Sequence, residues 1–235
     1  MDRIDHLREY VVDALRGLAN PADAGPMQAY MKTDMPFLGV KKPARVAVER
    51  ELKARFRIEE RDVWEQAVLA LWSLPHREEK YIAIAFAKLH RRRHCVPTSL
   101  PLFKRMIREG AWWDLVDDIA SNLVGEVWSA HRAWTEERMD RWIADDDPWV
   151  RRTAIIGQLK HKDAIDAERL YRYCATCMHE KEFFIRKAIG WALRQHSDVD
   201  PEGVREFLLT HRDALSGLSF REGSKHLVKA GLMER

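Results

Sequence analysis

Apolar residues recur at three- and four-residue spacings along nearly the whole chain, and no stretch shows the strict alternation of a half-buried strand. The pattern predicts helices throughout. Their starts are marked at Asn20-Pro21, Lys42-Pro43, Val96-Pro97, Asp147-Pro148 and Asp200-Pro201, because proline in a first helical turn gives up no hydrogen bond. Gly110, Gly217 and Gly231 mark breaks between them. No Pro/Ser-rich linker divides the sequence, so the expected organisation is a single all-α domain over residues 1–235.

One run departs from simple amphipathic patterning. In Gly110-Ala111-Trp112-Trp113-Asp114-Leu115-Val116-Asp117-Asp118-Ile119, the residues Trp112, Val116 and Ile119 make an ordinary apolar stripe. Trp113 falls on the polar side, stacked over Asp117, since a helix places i over i+4. Asp114 and Asp118 have a plain explanation in the helix dipole, which favours acids in a first turn, but Asp117 lies beyond its reach. The pair Asp114/Asp117 does not suit glycoside hydrolysis, which needs two carboxylates facing each other across a cleft. Of the nine tryptophans, Trp64, Trp72, Trp128, Trp134 and Trp142 sit among aliphatic residues and are expected in the core. Trp113 and Trp191 are candidates for a surface role. Gly190, next to Trp191, costs its helix about 1 kcal/mol against alanine. Close approach of a neighbouring backbone or a ligand would explain it.

A weak internal repeat sharpens the fold. The runs Trp149-Val150-Arg151-Arg152 and Phe183-Phe184-Ile185-Arg186 are each followed by Ala two residues and Leu seven residues after the last arginine. A helix–turn–helix period of ~34 residues resembles HEAT-type repeats, in which stacked antiparallel helix pairs build a curved solenoid with a concave binding face. Equivalent arginines would then line up along one side as a track for phosphates. The run Arg91-Arg92-Arg93-His94 reads as solvated charge at a helix end.

Charged residues make up 33% of the 235 residues, but the net charge is only +3, so a polyanion would have to be met by a local basic face. No apolar run reaches the ~18–20 residues of a membrane span, and the acidic start does not read as a signal peptide. Cys95, Cys174 and Cys177 are too few for a disulfide framework, and Cys174-x-x-Cys177-x-His179 lacks the second pair that a structural zinc requires. The expectation is a reduced, cytoplasmic monomer with no metal and no cofactor.

Taken in order, Met27-Gln28-Ala29-Tyr30-Met31-Lys32, Pro36-Phe37-Leu38-Gly39-Val40, Trp112-Trp113-Asp114-Leu115-Val116-Asp117, Trp149-Val150-Arg151-Arg152, Gln158-Leu159-Lys160 and Lys181 through Trp191 resemble the alkylpurine DNA glycosylases built from HEAT-like repeats. The resemblance implies a monofunctional enzyme acting on double-stranded DNA, excising positively charged N-alkylpurines such as 7-methylguanine and 3-methyladenine. It places the catalytic aspartate at Asp117, the aromatic residues bordering the lesion at Trp113 and Trp191, and the arginine of the site at Arg152. Tyr30 and Lys160 fall at matching positions as DNA-contacting residues.

The chemistry is consistent with this. A purine alkylated on a ring nitrogen is cationic and leaves as a neutral base, so no general acid is needed. Positive charge passes to the sugar, where one carboxylate can stabilise it and orient or deprotonate the attacking water. Indole faces attract such a cation by ~0.5–2 kcal/mol each. Arg152 would anchor a backbone phosphate. Two rivals stay open at this stage: a non-catalytic HEAT-like scaffold binding DNA or protein, and a lyase forming a Schiff base through Lys160.

Overall fold

All five proline signals open helical elements in the computed structural model, which describes residues 3–234. Three of these starts are also capped by side chains: Asn20 accepts from the Ala22 N–H, Asp147 from Trp149 and Asp200 from Gly203. Gly110 closes a helix, Gly217 opens one behind its Ser216 cap, and Gly231 follows the last helix with φ at 73°. Among the described residues there is no strand, and no helix is long and apolar enough to cross a membrane. The chain packs as two units, Met1–Cys95 and Val96–Arg235.

The first unit contains α1 (Arg3–Gly17), α2 (Pro21–Met31), α3 (Lys42–Arg55), α4 (Arg61–Trp72), α5 (Arg77–Leu89) and α6 (Arg91–His94). Leu7, Val11 and Leu15 give α1 a buried stripe at helical spacing, and Trp64 stacks on His94 with ring centroids 5.1 Å apart. The buried Glu78 carboxylate, at the start of α5, accepts the N–H groups of Leu38, Gly39 and Val40 at 2.9–3.0 Å. That contact fixes the segment between α2 and α3.

The second unit begins with a 3₁₀ turn and α7 (Leu100–Gly110). α8 (Trp113–Ile119) follows and runs through a π-helical turn (Ala120–Val124) into α9 (Gly125–Ala130). Then come α10 (Arg132–Trp142), α11 (Pro148–Ile156), α12 (Ala167–Cys177), α13 (Phe183–His196), α14 (Pro201–Thr210), α15 (Gly217–Gly223) and α16 (Lys225–Lys229). Helix pairs α7/α8, α10/α11, α12/α13 and α14/α15 stack in order, and their second members, α8, α11, α13 and α15, pack side by side. This is the helical-repeat architecture expected from the sequence period.

Two glycines permit close approach between neighbouring helical segments. A Cβ on Gly190 would lie 2.4 Å from the Glu222 Cβ and 2.9 Å from the Ser219 carbonyl, so close approach of α15 is the reason for that residue. A Cβ on Gly125, just past the π turn, would lie 2.6 Å from the Gly157 carbonyl.

Trp64, Trp72, Trp128 and Trp142 are buried, as expected, but Trp134 is 63% exposed. The buried face of α10 carries Thr135, Met139 and Trp142, one position off from Trp134, whose ring lies beneath Arg138. Cys174 and Cys177 are buried thiols. Burial pushes the Cys177 thiol up to about 12, and the described residues contain no cluster of metal-ligating side chains.

Candidate active site

The polar side of α8 faces α11 and α13 across a cleft of about 380 Å³. Trp113, Asp117, Arg152, Phe183, Phe184, Lys187, Trp191, Arg194 and Glu222 line it. Behind the lining residues Phe183 and Phe184 lies a packed aromatic group. Trp112, Trp149 and Phe184 lie with ring centroids 4.9–6.0 Å apart, and Phe183 meets Phe184 edge-on at 5.2 Å. Trp113 stands at the rim, 37% exposed, and Trp191 is partly buried on α13. Trp113 therefore sits on the polar side of its helix because it is a wall of the cleft.

Asp117 is held from below. Arg152 donates from Nε to one carboxylate oxygen at 2.7 Å and from Nη2 to the other at 2.8 Å. The Nη1 group of Arg152 donates to the Phe184 carbonyl, which ties α11 to the start of α13. Burial raises the Asp117 carboxyl above the ordinary carboxylate range, with Asp114 and Asp118 adding to the rise and Arg152 opposing it. The π turn begins three residues on, where the Ser121 hydroxyl donates to the Asp117 carbonyl at 2.8 Å and Asn122 bonds Asp118. Such wide turns interrupt regular helices at functional sites often enough to be informative.

Within the protein Arg152 is already occupied, and the expected phosphate contact would compete with these bonds. It is 4% exposed, with its guanidinium engaged by Asp117 and Phe184, which gives it the position of a support rather than of a phosphate anchor. The proposed line of equivalent arginines does not form either. Arg186 turns back to donate to the Glu180 carbonyl and is not part of the cleft lining. The exposed Lys160 donates to Asn122 and also lies outside the lining. Tyr30, on α2 of the first unit, is 78% exposed.

One residue of the cleft, Glu222, drew no attention in the sequence. It reaches in from α15 and gathers Arg194 at 2.8 Å, Lys225 at 2.6 Å and Lys187 at 3.3 Å. Burial works to raise its pKa, but Lys225 and Lys187 outweigh that and hold it below the usual range. The cleft thus carries two carboxylates in opposite states of tuning, Asp117 raised and Glu222 lowered. The signal that could have pointed to Glu222 was Gly190, which required a close neighbour without naming it.

Residues 11–227 match the family model described as DNA alkylation repair enzyme. Among solved structures, a predicted DNA alkylation repair enzyme from Enterococcus faecalis is 32% identical, with a TM-score of 0.82 over 90% of this chain and 97% of that one. The smu.31 protein of Streptococcus mutans shares the fold at 14% identity, with a TM-score of 0.62 over 78% of this chain and 94% of its own. No curated protein matches the chain.

Proposed function

Because the chain belongs to the DNA alkylation repair enzymes, we propose that it is a monofunctional glycosylase releasing cationic N-alkylpurines, 7-methylguanine and 3-methyladenine among them, from duplex DNA. One observation carries this reading: a carboxylate with raised pKa, gripped at both oxygens, in an open cleft that two indoles also line.

The bond between the sugar C1′ and the purine nitrogen breaks with its electron pair going to the base, which neutralises the positive charge of the alkylated ring. The sugar is left as an oxocarbenium-like cation. Asp117 faces that charge at short range, and preorganised opposite charge of this kind supplies a large share of catalysis. Water adds to C1′ and its proton passes to the Asp117 carboxylate. Trp113 and Trp191 present π-faces to the cationic sugar and base, at ~0.5–2 kcal/mol each.

No group needs to protonate the leaving base, and Glu222, held ionised by its cations, is unsuited to that role. The open cleft favours recognition through the exposed sugar and backbone over extrusion of the base into a deep pocket. Lys160, outside the lining, does not favour a Schiff-base lyase.

The test is to incubate the protein with methylated duplex DNA and identify the bases released, alongside Asp117→Asn. Removing a charge that acts on the transition state should lower single-turnover excision on the order of 10²–10³-fold while leaving DNA binding. Binding without any release by the unmodified protein would identify a scaffold instead. A borohydride-trapped DNA–protein adduct would identify a lyase.

A further inference from the structure

A cluster of six cationic side chains, none of them part of the cleft lining, belongs to the first unit. A concavity of about 470 Å³ at the C-terminal ends of α3 and α5 is lined by Lys53, Arg57, Lys88, Arg91, Arg92 and Arg93. Of the described residues around it, Glu59 alone is acidic, and its pair with Arg93, at 3.5 Å between well-exposed side chains, is weak. This one patch therefore carries more positive charge than the +3 of the whole chain.

Local helix electrostatics account for only part of it. Lys53 and Lys88 sit in the last turns of α3 and α5, where cations are favoured. Arg91, two residues past α5, donates to the Lys88 carbonyl at 3.4 Å, whereas Arg57 and Arg92 lie beyond the ends of α3 and α5. The fold brings together cations from two segments some thirty residues apart, and like charges so placed repel each other in the free protein. Among the described residues neither Arg57 nor Arg92 has an acidic side-chain partner, although both are exposed. Arginine also matches phosphate oxygens with two parallel N–H bonds, which lysine cannot do.

We infer that this concavity, built from residues of the first unit alone, is a docking site for the phosphate backbone of duplex DNA. The inference rests on the reading of the chain as a protein that acts on duplex DNA. Contacts of this kind set position and carry no sequence or lesion information. The patch therefore contributes to undamaged and damaged duplexes alike.

The test uses the full chain and an undamaged duplex, with affinity measured across a salt series. Arg57→Ala/Arg92→Ala should weaken binding and flatten the plot of log affinity against log salt by ~1.8, or two counterions. Arg138→Ala/Arg141→Ala removes the same charge from α10 and should leave the slope near that of the wild type. Arg57, Arg92 and Arg141 are exposed and Arg138 is half-buried on the surface of α10, so melting temperatures should stay close to the wild-type value, and that is checked first. An unchanged slope for the Arg57/Arg92 variant overturns the proposal, as does equal flattening by the α10 control. Loss of affinity for RNA or for anionic vesicles with the duplex slope intact overturns it as well. Base release plays no part in this measurement. A chain that docks through this patch yet excises nothing would sink the glycosylase reading and leave the docking site standing.

Discussion

Arg152 grips both carboxylate oxygens of Asp117, at 2.7 and 2.8 Å, from a position almost wholly out of solvent. An arginine so placed supports the carboxylate and has little surface left for DNA. Removing one member of a buried pair strands the other charge, at about 3–5 kcal/mol. Arg152→Ala is accordingly expected to lower the melting temperature and slow excision. The salt dependence of DNA binding should stay at the wild-type slope. A slope flattened by ~0.9 with stability intact would restore the phosphate role suggested by the sequence.

The same pair sets the response to pH. In the proposed reaction Asp117 acts in its ionised form, and burial raises its pKa above that of an ordinary aspartate at ~3.9. Excision is then lost, as pH falls, at a higher pH than an ordinary aspartate would give. Arg152 is the group opposing that rise, so Arg152→Lys, which keeps the charge and loses the two-point grip, should move the acid limb to higher pH. Single-turnover rates across a pH series measure this, and an acid limb left in place by the substitution counts against the coupling.

Trp113 and Trp191 differ from the buried tryptophans in lining a cleft with a solvent-facing side. Trp113→Ala and Trp191→Ala should each slow excision with modest change in stability. Trp134, equally a tryptophan and more exposed, serves as control, and Trp134→Ala should affect neither. A loss of several kcal/mol on replacing Trp113 or Trp191, as for a fully buried ring, would assign that residue to the core.

Gly190→Ala sets two effects against each other. Alanine improves helix propensity by about 1 kcal/mol. Its Cβ, however, would meet the Glu222 Cβ at 2.4 Å, forcing α13 and α15 apart, and overpacking of this kind costs about 1–3 kcal/mol. The clash should win. The variant is expected to be less stable and, because Glu222 holds Arg194 and Lys187 at the cleft, slower in excision. A gain in melting temperature would show that the helices separate without penalty.

Local spacing made legible the helical character of the chain, five helix starts, three breaks and four of the buried tryptophans. Those depend on near neighbours: a proline in a first turn, a capping Asn or Asp, an apolar residue every three or four positions. It also placed Trp113 and Asp117 on one face, because i and i+4 are stacked by the helix alone. Trp134 shows the limit of that logic, since a tryptophan one step off the stripe of α10 reads like its buried counterparts until the packing is known. Arg152 shows it more sharply. Repeat spacing put Arg152 and Arg186 in equivalent places, yet one turns under Asp117 and the other back to its own loop at Glu180. Only tertiary structure decided which, because a long side chain chooses among partners brought near by other helices, and those distances are not written in local spacing. Glu222 entered the cleft for the same reason: it is an ordinary surface acid by sequence, and it reaches the site only because Gly190 lets α15 press against α13.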